Sequence, residues 1–120
     1  MPDAGSNDSS ECTLLFEQGT KVIILDHHLC DIKNPQAIVI NNQLSSYKNK
    51  NLSGAGVVWQ FCRYLDKMLS SSRADDYLDL VALGNCADMM SMTSLETKHL
   101  INKGFSSLKN PFFVYLAKKN

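Results

Sequence analysis

The stretch KVIILDHHLCD, residues 21–31, constrains this chain more than any other. A run of four apolar residues, Val22 to Leu25, ends abruptly in Asp26, His27 and His28. A strand interior has little reason to present an acid and two imidazoles in succession. The triplet therefore belongs where a buried strand emerges at the edge of a sheet. In open α/β sheets that edge is where ligands bind.

The neighbouring segments extend this reading. SSECTLLFEQG has the pattern of a short amphipathic helix, with Ser9 or Ser10 as its cap, Leu14, Leu15 and Phe16 as apolar surface, and Gly19 closing it. Helix, glycine and strand in that order make half of a parallel crossover unit. A second strand is predicted over QAIVIN, residues 36–41, after the turn signal Asn34-Pro35. The two strands, joined by DHHLCDIKNP, are expected to be neighbours in one sheet. After the polar loop QLSSYKNKN, the segment LSGAGVVWQFCRYLDKML carries Val57, Val58, Phe61, Cys62, Leu65, Met68 and Leu69 at helical spacing. Ser53 suits its cap, and Gly54 and Gly56 allow close approach of either packing partners or a phosphate at the helix start. SSSRADD is an exposed turn from which Asp75 or Asp76 opens a helix over YLDLVALGNCADMM. A last helix is predicted over SLETKHLINKGFSSLKN, with Pro111 just past its end. The fold class is α/β, a partial parallel sheet with helices packed on it, in one domain spanning residues 1–120.

Acids and bases balance at 12 each, so no global field draws the chain to nucleic acid or to an anionic membrane. Phosphate binding would have to be local. No apolar run approaches the roughly 20 residues that span a bilayer, and MPDAGSNDSSE lacks the parts of a signal peptide. The expected location is cytoplasmic. Cys12, Cys30, Cys62 and Cys86 lack the close spacing of a structural zinc site and read as reduced thiols. His99 reads as a surface or half-buried helical residue, the scattered lysines as solvating charges, and Trp59 and Phe61 as core before base-stacking groups.

Asp88 lies in the apolar stretch ALGNCADMMSM, and Asp3 in the turn-forming PDAGSND, which would follow a strand cut off by the start of the chain. Asp3, Asp26-His27-His28 and Asp88 are thus each expected at the end of an element. Carboxylate oxygens with imidazole are the donor set for manganese, magnesium or zinc in a hydrolytic site.

Taken in order, DHH after VIIL, LSGAGVVWQF, and YLDLVALGNCADMM followed by LETKHLINKGF resemble consecutive motifs of the DHH phosphoesterases, most closely the RecJ-type single-strand-specific exonucleases. The resemblance covers nearly the whole chain. It implies two Mn2+ or Mg2+ ions, with Asp3 bridging them, His27 and Asp88 as further ligands, and Asp26 orienting the histidines. His28 would lie beside the scissile phosphate as an electrostatic or proton-donating group, and Ser53, Gly54 and Gly56 are possible phosphate contacts. The implied reaction is phosphodiester hydrolysis by metal-activated water, with single-stranded DNA as substrate.

Two parts of the family pattern have no counterpart in the sequence: the first strand with its Asp-x-Asp motif and the smaller C-terminal domain. The chain accordingly reads as a central slice of a catalytic domain, expected to hydrolyse little by itself. An unpaired edge at KVIIL or its neighbour would favour self-association. The alternatives are a non-catalytic nucleotide-binding or interaction module with a degenerate site, or another DHH hydrolase, acting on nano-RNA or cyclic dinucleotides.

Overall fold

The structure, a computed structural model, describes residues 1–31 and 34–119. Its elements run α1 (Ser9–Glu17), β1 (Val22–Asp26), β2 (Ala37–Asn41), α2 (Gly54–Leu69), a 3-10 turn (Ala74–Tyr77), α3 (Leu78–Ala87), α4 (Leu95–Ser106) and α5 (Pro111–Ala117). The α/β class and the two neighbouring strands agree with the sequence.

β1 and β2 are parallel, in a register that pairs Val22 with Ala37 at one end and Asp26 with Asn41 at the other. A third stretch lies along the opposite edge of β1. The Met1 amino group donates to the Ile23 carbonyl at 2.8 Å, and the Leu25 N–H donates to the Met1 carbonyl at 2.9 Å. The Asp3 N–H completes the ladder by donating to the Leu25 carbonyl at 2.8 Å, making a parallel bridge between Pro2 and Leu25. The edge of KVIIL is therefore covered along its C-terminal half, and of the two edges the sequence offered, the one without a partner among the described residues is that of its neighbour β2. Because Met1–Asp3, β1 and β2 all point the same way, Asp3, Asp26 and Asn41 arrive together at one end of the sheet.

The pleat of β1 divides the core between its two faces. Val22 and Ile24 pack with Cys12 of α1 on one face, and full burial of Ile24 is worth roughly 1.5–3 kcal/mol. Leu25 joins Ile40 against a larger cluster formed by α2, α3 and α4, centred on Leu52, Val57, Trp59, Val81 and Leu100. Tight helix packing needs Gly104, where a β-carbon would fall 2.2 Å from the Leu78 carbonyl oxygen.

Several local expectations change. The residue that α1 buries is Cys12, while Leu14 and Phe16 are exposed, and its N-cap position is Asp8 with no side-chain cap bond. On α2 the apolar stripe is buried only over its first half; Leu65, Met68 and Leu69 face solvent. The segment ADDY, Ala74–Tyr77, forms the 3-10 turn, so α3 begins at Leu78. It also ends earlier than the sequence indicates. Asp88 is its C-cap, Met89 turns left-handed at φ 50°, and the Met90 N–H returns to the Asn85 carbonyl at 2.9 Å. This is a Schellman closure with methionine where glycine is the usual residue. Finally, Pro111 starts a helix instead of following one: it occupies the first turn of α5, and the Asn110 side chain caps the Phe112 N–H.

Candidate metal centre

Asp26 is the residue around which the site is built. At the end of β1 it is 1% exposed, a costly position for a carboxylate unless donors surround it. Four do. Oδ2 accepts from the Ser6 N–H at 3.2 Å, while Oδ1 accepts from the His27 N–H at 2.8 Å, the His28 N–H at 3.3 Å and His28 Nδ1 at 2.7 Å. Burial alone would push its pKa up. The hydrogen bonds from His28, Ser6 and the His27 and His28 backbone outweigh burial and hold the carboxyl well below its usual range. An ionised carboxylate only accepts, so the proton on the His28 ring sits at Nδ1 and leaves Nε2 turned away from Asp26. The same hydrogen bond raises the pKa of His28, with the charges of Asp26, Asp3 and Asp88 adding to it.

His27 faces the other way and is largely enclosed, its side chain 12% exposed. Its Nε2 lies 3.2 Å from Asp3 Oδ1 and 3.7 Å from Asp88 Oδ2. Asp3 reaches this point from a left-handed backbone, φ 59°, which aspartate tolerates better than most residues. A β-carbon on Gly54 would lie 2.1 Å from Asp3 Oδ1, so the carboxylate fits only because α2 begins with glycine there. Asp88 comes from the Schellman turn after α3. Three separate segments thus meet at the His27 ring, and the rings of His27 and His28 stand 4.4 Å apart, centroid to centroid.

Donors about 2.1 Å from a common octahedral ion are separated by about 3 Å, close to the 3.2 Å between Asp3 Oδ1 and His27 Nε2. Asp3, His27 and His28 offer ligand atoms all within 4.8 Å of one another, while Asp88 lies outside that group and approaches only His27, at 3.7 Å. Hard oxygen with imidazole nitrogen suits Mn2+ or Mg2+, and the residues present fit such an ion. Cys30 is not part of this group. Its thiol donates to the Ser6 carbonyl at 3.1 Å, and none of the four cysteines forms a disulfide.

The structure brings Asp3, Asp26, His27, His28 and Asp88 together, as their places at element ends led one to expect. Ser53, Gly54 and Gly56 serve packing: Ser53 is fully buried, its Oγ accepts from the Gly56 N–H, and its own N–H is held by Asn85 Oδ1 at 3.1 Å. Asn85 was not legible as a functional support in the sequence, although an asparagine inside an apolar helix is the kind of signal that could have marked it. Ser6 and Asn41, which hold the DHH segment from behind, were also missed.

Residues 1–85 match the DHH family, N-terminal domain, and the chain belongs to that family. Among curated relatives, it is 43% identical over 120 residues to YorK of Bacillus subtilis, an SPbeta prophage-derived protein whose name proposes a single-strand DNA-specific exonuclease. That match covers 99% of this chain and 21% of YorK. The single-stranded-DNA-specific exonuclease RecJ of Thermus thermophilus is 31% identical over 87 residues, covering 72% of this chain and 13% of RecJ. The chain therefore spans about a fifth or less of the length of these relatives. Solved structures that share the fold include two of RecJ. Exonuclease RecJ bound to manganese superposes with a TM-score of 0.79 at 28% identity, covering 88% of this chain and 27% of that one. RecJ from Thermus thermophilus in complex with Mn2+ gives 0.78 at 29% identity, covering 88% and 16%.

Proposed function

We propose that this chain supplies part of the metal centre of a phosphodiesterase that hydrolyses single-stranded DNA. The observation that carries the proposal is the convergence of Asp3 Oδ1 and Asp88 Oδ2 on His27 Nε2, from three segments distant in sequence. Asp3, His27 and Asp88 are the metal ligands in this reading. Mn2+ or Mg2+ held there would supply an activated water and neutralise charge developing on the phosphoryl oxygens. Asp26 orients the triplet by fixing the His27 and His28 backbone and the His28 ring. His28, with a side chain 58% exposed and Nε2 free of Asp26, faces the incoming phosphate as an electrostatic or proton-donating group. The manganese-bound RecJ structures and the exonuclease relatives support the substrate class and the metal.

The test has two stages. Mn2+ titration of the chain should broaden the imidazole resonances of His27, and His27→Ala should weaken binding by at least tenfold, about 1.4 kcal/mol. The protein containing this segment at the length of its relatives should then degrade end-labelled single-stranded DNA with Mn2+ and stop on chelation. Binding of DNA without hydrolysis at any metal concentration would overturn the enzymatic reading in favour of a non-catalytic module.

A further inference from the structure

We infer that Asn41 is a positioning residue for the metal centre: through one side-chain amide it locks the DHH segment to the segment that carries Asp3. This rests on the reading of Asp3, His27 and Asp88 as metal ligands.

Asn41 closes β2 directly opposite Asp26 and is 3% exposed. Its Nδ2 donates to the His28 carbonyl at 2.9 Å and to Ser6 Oγ at 2.9 Å. Its Oδ1 accepts from the Gln43 N–H at 2.8 Å. The orientation of the amide is unambiguous, since a carbonyl can only accept and a backbone N–H can only donate. Both protons of Nδ2 are therefore committed, one to each half of the site.

The consequence for His27 is geometric. Asp26 pins the N–H groups of His27 and His28, and Asn41 pins the His28 carbonyl, so the peptide units on both sides of His28 have fixed directions. Ser6 adds the link to Asp3. It is 1% exposed, its N–H donates to Asp26 Oδ2, its Oγ accepts from Asn41, and its carbonyl accepts from Cys30. Only two residues separate Ser6 from Asp3. The separation between Asp3 Oδ1 and His27 Nε2 is thus set jointly by the Asp3–Leu25 backbone bond and by a chain of buried and partly buried hydrogen bonds that runs through Asn41. Groups that orient metal ligands without touching the metal typically govern affinity by about 10–100-fold.

The experiment compares Mn2+ binding by calorimetry, and by paramagnetic broadening of the His27 and His28 imidazole lines, in wild type, Asn41→Ala and Ser6→Ala. Asn49→Ala is the matched control. Asn49 is also a buried asparagine with a full set of hydrogen bonds, but it joins the loop after β2 to Glu96 and Thr97. The expected result is a Kd raised about 10–100-fold in Asn41→Ala and raised in Ser6→Ala, with Asn49→Ala losing thermal stability yet keeping the wild-type Kd. Should Asn41→Ala fail to fold, Ser6→Ala carries the test, because it removes one hydroxyl and leaves the Asn41–His28 bond in place. Wild-type affinity in whichever of the two folds, or an equal loss in Asn49→Ala, overturns the inference. Absence of His27 broadening in the wild type overturns the metal reading itself, and this inference with it.

Discussion

Asp3 and Gly54 form a pair that neither residue reveals alone. The Asp3 carboxylate occupies the volume where any side chain at position 54 would begin, 2.1 Å from its Oδ1. Gly54→Ala should therefore leave α2 intact, since alanine is the better helix former, yet push the carboxylate off the line to His27. The expected outcome is a Kd for Mn2+ raised by about tenfold or more with little change in helical circular dichroism. Unchanged binding would show that Asp3 is not held where His27 needs it. In the sequence, SGAG offered packing or phosphate as reasons for its glycines, and the turn PDAGSND offered only a place for Asp3. Their contact links positions 51 residues apart, and local pattern carries no information at that range. Asp26 was legible as the end of a buried strand because the apolar run stops there. Its saturation by four donors was not, because three of them depend on how the chain turns after the strand and the fourth comes from Ser6, 20 positions earlier.

At the level of elements, the register between α3 and α5 depends on a buried acid. Asp79 is 2% exposed, and its Oδ2 accepts the Lys109 N–H at 2.8 Å and the Asn110 N–H at 2.6 Å. Oδ1 accepts the Leu80 N–H at 2.8 Å. Burial would raise the pKa of this carboxyl, but the three backbone donors outweigh it and lower the pKa. A carboxyl depressed in the folded state binds fewer protons there than in the unfolded chain. Its contribution is therefore complete above the unfolded value of about 3.9 and is lost as pH falls towards the folded value. Asp79→Asn should cost about 1.5–3 kcal/mol at neutral pH in chemical denaturation. The gap between the two proteins should close on acidification below about pH 4. A gap that is constant with pH would mean that the carboxylate is not the stabilising species. The same elements show where helix boundaries escape the sequence. Pro111 was read as a stop because proline often follows a helix, but it equally favours the first turn of one, and Asn110 immediately before it is the cap that decides. Met89 hid the end of α3, because methionine does not advertise a left-handed backbone.

For the molecule as a whole, the order of elements could be read from hydrophobic periodicity, whereas the ties between them could not. The Tyr47 hydroxyl, Gln60 and Asn49 all converge on Glu96, joining the loop after β2 to α2 and α4 across up to 49 positions. In the sequence these lay in a polar loop and two helix faces with no mark of association. Surface left without a partner tells a complementary story. Among the described residues nothing pairs with the outer edge of β2, where Ile38 is 63% exposed, and Leu65, Met68 and Leu69 of α2 are exposed on the second half of its apolar stripe. A parallel edge strand and an apolar helix face are both surfaces that proteins normally cover. In the relatives, the sequence matched by this chain is accompanied by roughly four-fifths or more of additional polypeptide, so the 120-residue chain studied by itself should satisfy these surfaces by associating with its own copies. Sedimentation velocity is expected to show a weight-average mass that rises with concentration. Ile38→Lys should lower it by placing a charge on the edge, while Met68→Lys should act only if the helix face takes part. A single monomeric boundary at millimolar concentration would show that neither surface drives association.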